Sequence, residues 1–162
     1  MTLYHRVVLI NVSAVACLAA AAAYGFAESA GSDGTIAVPV PDARTAGYCR
    51  ALHDALPQQV AGLSRHDLRP RSELITGWGD PAIVLRCGVP RPAVDNNPNA
   101  VGVEVDGVSW SVEPGSTGSR LLTTTLRQAY VEVTLPKKYA DAGDLGPLTD
   151  LAGAVKQTIP DL

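Results

Sequence analysis

Residues 7–27 form a run of 21 side chains without a charge, directly behind His5 and Arg6. An α-helix needs about 20 apolar residues to cross the hydrocarbon core of a bilayer, whereas the apolar stretch of a cleavable signal usually holds about 7 to 15. The run therefore predicts an uncleaved, single-pass transmembrane anchor over residues 1–27. Arg6 precedes it while Glu28 and Asp33 follow it, so the positive-inside tendency places the rest of the chain outside the cytoplasm. Two other readings compete for the same residues. Cleavage after Ala27, with Gly25 and Ala27 as the small residues near the cut, would release a secreted protein. Lipidation of Cys17, preceded by Ala14, Val15 and Ala16, would make a lipoprotein, although the apolar run continues past it to Ala23.

Residues 28–44 are rich in Gly, Ser, Ala and Pro and read as a tether, leaving residues 45–162 for one extracytoplasmic domain large enough to bury its own core. The whole chain carries 13 Lys and Arg against 16 Asp and Glu. Arg6 is the only charge before Glu28, so the exported part is the more acidic, which argues against nucleic acid or an anionic membrane surface as partner. Beyond the anchor only Cys49 and Cys87 remain, and an even pair outside the cytoplasm predicts a disulfide. A redox or metal-binding thiol pair would call for a Cys-x-x-Cys spacing or neighbouring His ligands, and the sequence has neither.

Thr45 can cap a helix from about Ala46, with Tyr48, Cys49, Leu52, Ala55 and Leu56 on one face and Pro57 at its end. At the other end of the domain Pro147 suits a first helical turn, and Leu148, Leu151, Val155 and Ile159 form a second apolar stripe. Between these helices the apolar period drops to two. Ile83, Leu85 and Cys87 alternate with Val84 and Arg86, and Asp106-Gly107 between two valine-rich runs is a strong hairpin signal that puts Val108, Trp110 and Val112 on one face. Residues 121–126 and 130–135 predict two further strands or one long bent strand, and residues 73–78 a strand at the sheet edge. The expected fold is α+β, an antiparallel sheet of four or five strands with the N- and C-terminal helices packed on it.

Taken in order, Cys49, Leu52, Leu56-Pro57, Val60, Gly62, the segment Trp78-Gly79-Asp80-Pro81-Ala82-Ile83-Val84-Leu85-Arg86-Cys87-Gly88-Val89-Pro90, Gly107-Val108, Trp110, Arg127 and Tyr130-Val131-Glu132-Val133 form a recognisable series. From about Cys49 to Pro160 the chain resembles domain-of-unknown-function family 3515, exported or membrane-anchored proteins of actinobacteria. The resemblance implies an extracytoplasmic location and the two-cysteine arrangement, and no activity. Where many members have paired arginines after the glycine matching Gly62, this chain has Arg65-His66.

Several groups invite a functional reading. Trp78, Asp80 and Arg86 bring an aromatic face, an acid and a planar cation within nine residues beside the cysteine bridge, and form the candidate binding strip. In the bland alternative the tryptophan packs at the sheet edge and Arg86 is solvated or paired with Asp80. Arg65, His66, Arg69 and Arg71 gather in a proline-containing loop that could hold anionic groups of envelope polymers. His53 and His66 have no serine in a nucleophile setting beside them in sequence, so no catalytic residue is assigned. Asp95-Asn96-Asn97-Pro98-Asn99 lacks calcium-loop spacing and reads as a polar turn. No metal or other cofactor is expected. The expected function is a non-enzymatic, membrane-anchored module of the cell envelope that binds a protein or wall component. A small-molecule-binding or sensor-like domain would need a cavity lined by Trp78 or Trp110, and an envelope hydrolase would need His53 or His66 beside a nucleophile or second acid.

Overall fold

The computed structural model describes residues 35–143 and 145–162. The charge-free run, Cys17 and residues 28–34 of the tether lie outside them. Among the described residues no helix is long and apolar enough to cross a membrane. The chain divides into Met1–Ala37 and Val38–Leu162, and every element of regular structure described belongs to the second unit.

Helix α1 spans Ala43–Ala55, three residues earlier than Thr45 implied. Asp42 is the cap: one carboxylate oxygen accepts the backbone N–H of Arg44 at 2.8 Å and of Thr45 at 3.0 Å, and the other accepts the Thr45 hydroxyl at 2.8 Å. Thr45 thus serves the cap without being it. The strands are β1 Gln59–Val60, β2 Leu63–His66, β3 Ile75–Trp78, β4 Ile83–Val89, β5 Gly102–Val105, β6 Val108–Pro114, β7 Arg120–Thr124 and β8 Tyr130–Leu135. A single turn, α2 Lys137–Ala140, and helix α3 Gly146–Thr158 follow.

All eight strands join one antiparallel sheet in the order β1-β2-β3-β4-β8-β7-β6-β5. The sheet is twice as large as the four strands expected and exceeds the five. The pairs β1–β2 and β2–β3 escape sequence reading because they are short and carry Gln, Ser, Arg and His in place of an apolar alternation. The strand expected at the edge is internal: β3 pairs with both β2 and β4, and all four of its residues are buried. Strands β7 and β8 are separate, parted at Leu126, which adopts a left-handed φ of 57°. The Asp106-Gly107 hairpin stands as expected, with both residues at positive φ and Val105 opposite Val108.

One face of the sheet, the inner face, carries Ile83, Leu85 and Cys87 of β4, Val131, Val133 and Leu135 of β8, Leu122 of β7, and Val108 and Trp110 of β6. Against it pack Cys49, Leu52 and Leu56 of α1 and Leu148, Leu151, Ala152 and Val155 of α3. Each buried leucine or valine contributes roughly 1.5–3 kcal/mol relative to exposure, so this layer dominates the stabilising terms. The Cys49 and Cys87 sulfurs are bonded, tying α1 to a central strand across 38 residues. The next residue, Gly88, lies where the β4–β8 register slips, at φ 85°, and a Cβ there would stand 2.7 Å from Pro41. That crowding accounts for the glycine after the cysteine.

Replacing both Cys49 and Cys87 with serine should lower unfolding free energy by roughly 2–5 kcal/mol, because the reduced chain regains loop entropy. A denaturant midpoint indistinguishable from wild type would reject that role. The hydrogen bonds to Thr45 and Arg44 hold the Asp42 carboxyl below the usual aspartate range. A depressed folded-state value means that the cap stabilises fully above the unfolded aspartate range, about 3.9, and loses that contribution as pH falls through the folded value. An NMR titration of the carboxyl should show a midpoint below about 3.9, and one at or above it would remove the cap as an acid-sensitive element.

Candidate functional site

The three residues of the expected binding strip part company. Trp78 lies on the inner face opposite Ile83, has no exposed surface, and its indole N–H donates to the Pro57 carbonyl at 3.1 Å. Asp80 is exposed in the turn between β3 and β4. Arg86 points to the other face, the outer face, where its guanidinium meets Glu132 at 3.4 Å, not Asp80. Strand alternation explains the split: Trp78 and Ile83 are cross-strand partners on one face, and Arg86, three residues beyond Ile83, must face the other way.

The basic residues do not gather in one loop. Arg65 and His66 belong to β2, and Arg71 pairs with Asp67 on the surface. Arg65 reaches the end of α1, donating to the carbonyls of His53 at 3.1 Å and Leu56 at 3.2 Å, which suits a cation at a helix C-terminus. One of its nitrogens is 3.2 and 3.1 Å from the two ring nitrogens of His53. An in-plane approach equidistant from both would collide with the carbon between them, so this nitrogen lies over the face of the imidazole. The Thr76 hydroxyl, buried, is 3.5 Å from the ring. This arrangement holds His53 between the Arg65 guanidinium and the Thr76 hydroxyl. In the Asp95-Asn99 turn the Asn97 side chain accepts the Asn99 N–H at 3.0 Å. The described residues contain no group of three or more His, Cys, Asp or Glu placed to hold a metal ion.

The outer face holds a site that single-residue motifs did not mark. The connection from β4 to β5 starts in the middle of the sheet and ends at its far edge, passing over β6 by way of a 3-10 turn at Ala93–Asn96. Between it and the sheet lies a cleft of about 500 Å³, open to solvent. Its floor is Gly102, Glu104, Ser109, Ser111, Thr125 and Tyr130, and its wall carries Arg91 and Asp95. Arg91 and Asp95 are 3.4 Å apart, and the Asp95 side chain is only 7% exposed. Val101, Leu126 and Leu162 line the mouth with large exposed apolar surfaces. Trp110 borders the cleft from the sheet, but its ring belongs to the inner core and is 1% exposed.

Arg127 holds one end of this cleft. It is 5% exposed and donates to the carbonyls of Ile159 at 2.8 Å and Gly107 at 3.2 Å, with Asp161 3.2 Å away. The Leu162 N–H donates to the Leu126 carbonyl at 3.0 Å, so the two apolar lips are set side by side by the same clamp. A charged residue between two apolar strands was the available signal, since an arginine buried there must draw partners from the chain around it.

Over residues 7–162 the chain matches a family model described as protein of unknown function, DUF3515. No curated protein and no solved structure matches.

Arg86→Ala strips the partner from Glu132, whose side chain is 15% exposed, and should cost roughly 1–3 kcal/mol. Adding Glu132→Gln should recover part of that loss in a double-mutant cycle. A change below about 0.5 kcal/mol in Arg86→Ala would mean that the pair is solvated and contributes nothing.

Proposed function

We propose, on the premise that the chain belongs to DUF3515, a family of proteins of unknown function, that it is a non-enzymatic binding module of an actinobacterial cell envelope, recognising a protein or wall component through the outer-face cleft. One observation carries the reading. Val101, Leu126 and Leu162 are 65%, 66% and 72% exposed and line one cleft, and large exposed apolar side chains gathered at one site favour a partner that covers them. The Cys49–Cys87 bond suits an oxidising compartment, and the charge-free run behind Arg6 suits a membrane anchor with the domain outside.

The volume of about 500 Å³ also falls in the range of small-molecule sites, about 300 to 1,000 Å³, which favours a pocket for a small ligand as the second reading. The burial of both indole rings on the inner face weighs against it, since neither stacks on a ligand in the cleft.

A photo-reactive residue placed at Leu126 in the full-length protein in its native cells tests the reading. A discrete macromolecular adduct from position 126, absent from the exposed position Gln59, is the expected result. Equal or no labelling at the two positions would reject the cleft as a recognition surface.

A further inference from the structure

We propose that β5, the free edge of the sheet, takes up an extended peptide as an added strand, and that the peptide alternates apolar and basic side chains. This rests on the binding-module reading and gives that site its partner chemistry. The two edges of the sheet differ. β1 is two residues long, and the N–H of Ala61 in its turn is held by Asp150 at 2.7 Å. β5 is four residues long, with no proline and no register slip against β6.

Its hydrogen-bonding phase follows from its neighbour. The Val112 N–H donates to the Val101 carbonyl at 2.9 Å, and the two-residue turn makes Val105 and Val108 a bonded pair. Val101, Val103 and Val105 therefore turn their main-chain groups toward β6, and Gly102 and Glu104 turn theirs outward. Both are exposed, and these outward groups have no partner among the described residues. An open row of donors and acceptors is the template for strand addition.

Both faces beside this edge are hollow. The outer cleft and a second pocket of about 160 Å³ on the inner face are both bordered by Val101 and Val103. Side chains of an added strand alternate between the faces. Those opposite Gly102 and Glu104 enter the outer cleft, where Gly102 leaves room and the exposed Glu104 carboxylate, with Asp95 already paired to Arg91 on the wall, favours a base. The one opposite Val103 enters the inner pocket, whose Val112, Leu122, Leu135 and Ala140 suit a branched apolar residue. The chain's own residues 28–34 do not fit, being acidic at Glu28 and Asp33 and without a large apolar side chain. A second copy paired through β5 would bring another Glu104 toward these acids.

The test measures amide exchange at Gly102 and Glu104 in the purified exported part, residues 28–162, with a blocked octapeptide alternating leucine and lysine. Exchange at both amides should slow by about tenfold or more at saturation, as for any amide that gains a ladder bond. The same peptide N-methylated at alternate residues, or one alternating leucine and glutamate, should have no effect. Glu104→Pro, which removes an outward N–H and leaves the β6 ladder intact, should abolish the slowing at Gly102 with an unchanged unfolding midpoint. Binding without slowing, equal slowing by the glutamate peptide, or slowing that grows with protein concentration in the absence of peptide would each overturn the proposal. If the lysine peptide fails while position 126 still captures its adduct in cells, strand addition falls and the binding module stands. If both fail, both fall.

Discussion

The pairing of β4 with β8 is the constraint on which the rest of the molecule depends. It joins two four-stranded meanders, β1 to β4 and β5 to β8, into one sheet, and it sets Leu85 beside Val133 and Cys87 beside Val131 in the middle of the inner face. Helix α1 is then fastened to this centre by the Cys49–Cys87 bond, while α3 packs beside α1 and touches β1 of the first meander and β5 and β6 of the second. An apolar layer at the centre with a covalent tie to its cover leaves the ends of the sheet to be held by weaker means.

The same pairing creates the cleft. Since β8 occupies the place next to β4, the chain leaving β4 must travel past three strands before it can start β5. At about 4.8 Å per strand that is a distance of roughly 19 Å, whereas residues 90–101 could span about 40 Å if extended. The slack is taken up by the 3-10 turn and by the Asn97 and Asn99 turn, stiffened by Pro90, Pro92 and Pro98. A connection longer than its path stands off the sheet, and the space beneath it is the cleft.

Charge is handled differently on the two faces. Among the described residues no ion pair lies over the centre of the inner face. The outer face carries Arg86 and Glu132 opposite one another beneath partial cover. Arg127, at the end of the sheet, is buried with main-chain carbonyls as its chief partners. A buried guanidinium can be tolerated there because two carbonyls and a carboxylate replace water at its two terminal nitrogens, and in return it fixes the course of residues 159–161.

Sequence alone determined what depends on neighbours along the chain. The 3.6-residue stripes of Leu52 and Leu56 and of Leu148, Leu151 and Val155, the alternation of Ile83, Leu85 and Cys87, the Asp-Gly turn, the cysteine pair and the family resemblance are all local patterns or local chemistry, and each is present in the fold or in the family match. The strand count was misjudged because β1 and β2 are polar and short, held by pairing with β3 and by Asp150 instead of by their own apolar pattern. Only the tertiary structure decided which charged residues meet and where the chain is hollow. Arg86 finds Glu132 across a strand pair separated by 46 positions in sequence, and the cleft draws Arg91 and Asp95, Glu104, and Tyr130 from three different segments. Such meetings are set by strand order, which follows from burying the largest apolar face and leaves no periodic trace in the chain.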